Sequence, residues 1–334
     1  MRRQAYAKLM VFTFGASFIL AALYPIFRSQ YYDYENHNIM IQKSHHHLNT
    51  RNQSPECLLK SAFQSREFVI FSHRSFLNSS TSQTKQQPSC EEAIHQLKNI
   101  GVHHLDLDLV LDTESKNANH HPSAPTLIVS HPMEFKRTSE SYSPCSNLEF
   151  DELIHILRNV YNGDDHQDFF ISLEPKASWG RTKKEHDDPA LALPLNILQS
   201  LLDAVTRNHL RGSCAAIVNI DLVQGAEEQR LLGEILKICS LFNGIRISDQ
   251  APSTMGAYDI IMPSIEFHPR HEHNTGDIVP KELYSKSVFW TVDNEHDLRL
   301  AADMLPFGIV SNSPEDIVSI MNDPSWCSTD RVLV

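Results

Sequence analysis

The chain has no long run of lysine or arginine, and its 29 basic side chains are outnumbered by 41 acidic ones. The formal charge of −12 repels a polyphosphate backbone, which argues against nucleic acid as a partner. Cysteine is scarce as well. Six in 334 residues are too few to build a disulfide scaffold. No apolar run leads into Gly-x-Gly-x-x-Gly, so the dinucleotide fingerprint of an open doubly wound sheet is missing. What is present, 41 % hydrophobic and 21 % charged residues, is a globular composition. The length allows one large domain or two medium ones.

The N-terminus is different in kind. Residues 1–8 carry Arg2, Arg3 and Lys8 and no acid; Leu9 to Phe27 then runs for 19 residues without a charge. That run is long enough for a bilayer core, and no small-x-small site closes it. The three positives favour a cytosolic N-terminus with the rest of the chain translocated. The expectation is a single-pass signal anchor at 9–27, with a cleaved signal peptide as the other reading. Residues 28–66 read as a tether, and its triple histidine, His45 to His47, as solvated linker, since adjacent residues on an extended chain do not converge on one ion. Asn52-Gln53-Ser54 and Asn78-Ser79-Ser80 are glycosylation sequons, which agree with a lumenal or extracellular location. There the six cysteines can pair: Cys57 with Cys327 across the ends of the folded region, or Cys90 with Cys145.

From residue 67 short apolar runs alternate with helical patterns. Strands are expected at 68–71, 104–111, 169–173, 215–220, 244–247, 258–262, 287–292 and 307–310, with 126–129 as a hairpin partner. Helices fit 90–100, 148–160, 191–207, 227–241, 295–304 and 314–321. Eight strands mostly separated by helices predict a (β/α)8 barrel of the TIM type over 67–323, followed by a tail at 324–334.

In such a barrel chemistry sits at the C-terminal ends of the strands. Those ends carry His73-Arg74, Asp106-Leu107-Asp108, His131, Glu174-Pro175-Lys176 and Trp290 to Asp293. Period-two alternation puts Asp106 and Asp108 on one face, and Glu174 and Lys176 on another. Two inward carboxylates repel unless a cation joins them. The set suits metal-assisted attack on a phosphate ester: oxygen ligands for Mg²⁺ or Ca²⁺, cations for the phosphoryl oxygens, and two histidines as acid and base. Each motif alone is ordinary strand-end chemistry. Their joint placement carries the signal.

The order of these motifs resembles the glycerophosphodiester phosphodiesterase family, within the phospholipase C-like phosphodiesterases. The likeness runs through His73-Arg74, Gly101-Val102, Asp106-Leu107-Asp108, Ile128 to His131, Leu173 to Lys176, Trp290-Thr291-Val292, Gly308 to Val310 and Ser313-Pro314. It covers about 67–321. The resemblance implies His73 and His131 as the acid–base pair, and Arg74 and Lys176 as phosphate contacts. It further implies Asp106, Asp108 and Glu174 as ligands of a divalent cation, with Trp290 lining the substrate groove. An alcohol of the substrate can attack its own phosphate in this family. Departures fall among supporting positions: Ser75 for glycine, Pro88-Ser89-Cys90 for Glu-Asn-Thr, Asp106 for glutamate, Pro132 for aspartate, and Asn312-Ser313 where an acid precedes the proline. The expected function is metal-dependent hydrolysis of glycerophosphodiesters or lysophospholipids. The other reading is a catalytically weak relative that binds a phospholipid headgroup or a protein partner.

Overall fold

A computed structural model of the protein describes residues 53–73, 88–113, 125–135, 143–161, 169–178, 192–239, 242–247, 258–271 and 279–327. They belong to one compact unit, Gln53–Val334. The expected anchor at 9–27, both sequon asparagines and Arg74 lie outside the described residues. Among those described, no helix is long and apolar enough to cross a membrane.

Ten strands form one sheet. They are β1 (Val69–His73), β2 (His104–Asp112), β3 (Thr126–Val129), β4 (Leu148–Glu149), β5 (Phe170–Pro175), β6 (Cys214–Ile217), β7 (Phe242–Ile247), β8 (Ile260–Pro263), β9 (Val288–Phe289) and β10 (Gly308–Ser311). Eight are parallel neighbours in the order β8-β7-β6-β5-β2-β1-β10-β9. The parallel bridges Ile261 to Ser287 and Ser264 to Trp290 bring the two end strands together, so the ring is nearly closed. The two remaining strands, β3 and β4, form an antiparallel flap on β2. The predicted barrel is therefore present, and the strand at 126–129 is the hairpin partner expected of it.

Among the described residues seven α-helices accompany the strands: α1 (Pro55–Gln64), α2 (Cys90–Asn99), α3 (Phe150–Tyr161), α4 (Pro194–Arg207), α5 (Ala226–Ile238), α6 (Glu295–Met304) and α7 (Pro314–Asn322). Their starts follow local chemistry. Ser89 and Glu92 form a reciprocal capping box on α2, while Pro194 and Pro314 occupy the first turns of α4 and α7, where no amide donor is missed.

Strand alternation separates two cores. Outward residues such as Leu105, Leu107, Ile171, Leu173, Ile245 and Ile309 pack against the helices. Inward residues Val69, Phe71, Ala215, Ile217, Ile260, Met262, Val288 and Val310 fill the ring. Gly308 is required there. A β-carbon on it would come within 2.6 Å of the Val69 carbonyl oxygen, on the strand it pairs with.

Both ends of the barrel segment differ from expectation. Residues 55–64, read as tether, form α1, and its Leu59 is buried in the main core. Trp326, placed in the tail, is 2 % exposed; its indole Nε1 donates to the Glu56 carbonyl at 3.0 Å, and the Arg299 guanidinium lies 4.5 Å from its ring. The sequence reading missed Trp326 because it is one large apolar anchor rather than a periodic run, whereas α1 does carry a helical pattern in Leu58, Leu59, Ala62 and Phe63 that was passed over. Of the two expected cysteine pairs, Cys90 with Cys145 forms and Cys57 with Cys327 does not. Cys90 bonds Cys145 and Cys214 bonds Cys239, while Cys57 and Cys327 are free thiols, with the Cys57 sulfur 3.5 Å from the Cys327 carbonyl oxygen.

Candidate active site

Register carries the sequence motifs to one place. On β1, β2 and β5, His73 pairs with Asp106 and Asp106 with Ser172; one step further up the ring, Asp108 pairs with Glu174. Alternation then turns Asp106, Asp108, Ser172 and Glu174 to the inward face, above the apolar layer of Phe71, Ile217 and Met262. Lys176 follows β5 on the same parity, and Arg246 comes from β7 at the level of Met262.

Arg246 organises the mouth. One guanidinium nitrogen, Nη2, donates to both oxygens of Asp106 at 2.8 and 2.7 Å, and Nε donates to Glu174 Oε2. Its carbon lies 5.0 Å from the centre of the Trp290 ring, a cation–π contact. Trp290 is itself fixed, because its indole nitrogen donates to the Met262 carbonyl at 2.6 Å. The Lys176 ammonium pairs with the other Glu174 oxygen and with Asp108 at 2.9 Å. Asp106 also accepts from the Ser172 hydroxyl at 2.5 Å.

These partners decide the protonation states. Burial pushes the Asp106 carboxyl up, but Arg246, His73 and the Ser172 hydrogen bond outweigh it and hold the group below its usual range. Burial pushes the Lys176 ammonium down, yet Glu174 and Asp108 leave it above its ordinary value. Arg246 is likewise raised, against burial, by Asp106 and Glu174. The mouth therefore sets the carboxyl groups of Asp106, Asp108 and Glu174 against two fixed cations, Arg246 and Lys176.

His73 stands at the edge of this network. Its Nδ1 is 2.8 Å from Asn312 Oδ1, and its Nε2 is 3.8 Å from Asp106 Oδ2. Asn312 is pinned in turn by Asp293, which accepts from the Asn312 backbone amide at 2.6 Å and from its Nδ2 at 2.7 Å. A carboxylate only accepts, so Asn312 must point its amide nitrogen at Asp293 and its oxygen at His73. That oxygen in turn demands a proton on Nδ1. The chain Asp293–Asn312–His73 thereby leaves Nε2 to face Asp106 and the mouth. His131 lies apart from this chain. With Asp108, Val129, Ser130 and Ser146 it lines one hollow, and its Nδ1 accepts from the Met133 amide at 3.2 Å.

The structure thus brings together His73, Asp106, Asp108, Glu174, Lys176 and Trp290, with His131 beside Asp108. Sequence reasoning missed Arg246 and the positioning role of Asn312. A signal existed for the first. Arg246 shares its face with Gly244 inside a short apolar strand, and a strand-interior arginine on a barrel's inward face needs partners. Asn312 had registered only as a departure from an expected acid.

A divalent cation does not fit this arrangement. The expected ligands Asp106 and Glu174 converge on the Arg246 guanidinium, and Asp108 and Glu174 on the Lys176 ammonium. Among the described residues no group of three His, Cys, Asp or Glu is disposed to hold a metal ion.

Fold and mouth together define a (β/α)8 barrel with an ion-paired histidine–carboxylate–cation site at the C-terminal ends of its strands. No protein-family model matches the chain, and neither does any curated protein. Solved structures do. A glycerophosphodiester phosphodiesterase from Parabacteroides distasonis is similar at 14 % identity, over 78 % of this chain and 98 % of its own, with a TM-score of 0.47. The glycerophosphodiester phosphodiesterase of Thermotoga maritima is similar at 14 % identity, over 76 % and 98 %, with a TM-score of 0.43. An Oleispira antarctica phosphodiesterase, solved with its product sn-glycerol-3-phosphate, is similar at 11 % identity, over 78 % and 99 %, with a TM-score of 0.46.

Proposed function

We propose that the barrel mouth binds and cleaves a phosphodiester, with glycerophosphodiesters and lysophospholipids as the substrate class. The observation that carries this reading is His73, held in one tautomer by Asn312 and Asp293 with Nε2 directed at a mouth lined by fixed cations. In that tautomer the neutral ring accepts a proton from an attacking hydroxyl at Nε2, which is the work of a general base. His131, on the flap beside Asp108, protonates the leaving oxygen once its ring has taken up a proton at Nδ1 from solvent and released the Met133 amide. Lys176 and Arg246 place donors where the phosphoryl oxygens gather negative charge, and the resemblance assigns Arg74, which lies outside the described residues, to the same task. Trp290 offers an apolar wall to the rest of the substrate. The two disulfides support a translocated domain, since such bonds persist in oxidising compartments, and residues 9–27 then act as its membrane anchor.

The test is turnover by the full chain in mild detergent, offered a panel of glycerophosphodiesters and lysophospholipids and followed by phosphomonoester or alcohol release. Activity should appear and His73→Ala should abolish it. A folded wild-type protein inactive on the whole panel but retaining a lysophospholipid would replace hydrolysis with headgroup binding.

A further inference from the structure

We propose that Arg246 is a built-in cation, standing where the resemblance places a divalent ion, so that the mouth keeps its carboxylates together and charged without a metal. The argument is one of position and charge. Asp106 gives both its oxygens to Arg246, and Glu174 gives one to Arg246 and one to Lys176. The guanidinium is held in its own plane by these carboxylates and on its face by the Trp290 ring. It is a fork whose geometry matches two carboxylates at once, which an ammonium does not do. Side-chain exposures of 12 % for Arg246 and 1 % for Asp106 mean that water does not substitute for this pairing. An ion entering between Asp106 and Glu174 would have to expel a group that is itself a strand residue.

The inference does not need the mouth to be catalytic. Where it touches turnover it rests on the phosphodiesterase reading, and it then leaves Arg246 and Lys176 as the donors that meet the phosphoryl oxygens, with no bound ion beside them.

Terbium luminescence separates the two questions. Tb³⁺ takes oxygen-ligand sites of the Ca²⁺ kind, and an ion replacing the guanidinium would lie close enough to Trp290 to be sensitised by its indole. The full chain in detergent should show no saturable Trp-sensitised emission, and its Tm should be unchanged by Mg²⁺, Ca²⁺ or EDTA. Arg246→Met opens the carboxylate pair. It should gain saturable Tb³⁺ emission that Ca²⁺ competes away and that Trp290→Phe removes in the same background. Its Tm should fall, then rise by about 3–5 °C at a metal concentration about ten times the dissociation constant. Arg246→Lys keeps the charge and should stay dark. Asp106-dependent emission from the wild type overturns the proposal, as does an Arg246→Met protein that folds and binds no metal. If Arg246→Met does not fold, the wild-type titration with its Asp106→Asn control decides alone. Turnover unaffected by EDTA adds support, and its absence bears only on the catalytic reading.

Discussion

The Asp293–Asn312–His73 chain makes a prediction that can be checked without a substrate. Asn312→Ala removes the acceptor at 2.8 Å from His73 Nδ1 and leaves the Asp293 bond to the backbone amide in place. His73 is a mostly buried ring, 12 % exposed, so the lost partner costs more than a surface hydrogen bond would. A neutral hydrogen bond of this kind is worth about 1–1.5 kcal/mol, and a buried donor left without a partner costs roughly 1–3 kcal/mol. Since about 1.4 kcal/mol is a factor of ten, the tautomer with the proton on Nδ1 should lose its advantage by about 10- to 100-fold. Long-range nitrogen–proton NMR on histidine-labelled protein reads this directly. In the wild type His73 should show a protonated Nδ1, and in Asn312→Ala a proton exchanging between both nitrogens or resting on Nε2. Any turnover should fall by the same factor in kcat with little change in KM, because Asn312 positions the base and does not touch substrate. A wild-type His73 protonated on Nε2 alone, when neutral, would refute the reasoning, as would an Asn312→Ala protein with the wild-type tautomer.

Three other outcomes follow from the fold. Trp326→Ala should destabilise by about 3–5 kcal/mol in urea unfolding, because a fully packed indole, its bond to Glu56 and its stacking under Arg299 disappear together. Opening Cys214–Cys239, with 25 residues between its ends, should cost about 3.5 kcal/mol, and opening Cys90–Cys145, with 55, about 4 kcal/mol; paired serine variants compared by denaturant titration check the order. Acid should weaken the fold from near neutrality. His104 is pushed down to about 3, by burial and then by His103, so below about pH 6.5 the unfolded chain takes up a proton that the folded one refuses. Stability from this group is complete above that pH and declines towards pH 3. His104→Phe, packed between Phe71 and Phe170, should flatten that part of a Tm–pH profile.

Much of the barrel was legible because its strands are short apolar runs with one polar end each, and the eight expected at 67–323 are the eight that form the ring. The strand at 126–129 was legible for the same reason, as a short apolar run with no helical pattern between it and the preceding strand. Boundaries shifted where a strand ran into loop residues of similar hydropathy: Val218 to Ile220 look like strand but leave the sheet after Ile217. The site was legible as a list of residues but not as a network. Period two places Asp106 and Asp108 on one face, and nothing in that rule says what neutralises them. The sequence reading supplied an external ion. The chain instead brings a cation from β7, 140 residues beyond Asp106, and a contact of that span leaves no local trace. Cysteine pairing failed likewise for Cys214 and Cys239, which sit at the start of β6 and the end of α5 and meet only once the helix has packed back on the sheet.

Ring closure has a consequence for how the protein comes to exist. His73 lies on the first barrel strand and Asn312 just beyond the last, 239 residues apart, and β1 pairs directly with β10. Bringing such distant ends together costs about 5 kcal/mol of chain entropy beyond a constant, and none of it is recovered until the final strand docks. High contact order of this kind slows folding, and it makes the histidine the last part of the machinery to be set. A ribosome-bound or C-terminally clipped chain can own Asp106, Glu174 and Arg246, yet its His73 has no amide to fix the ring. The tautomer of His73 is thus a readout of whether β10 and Asn312 have been made and docked.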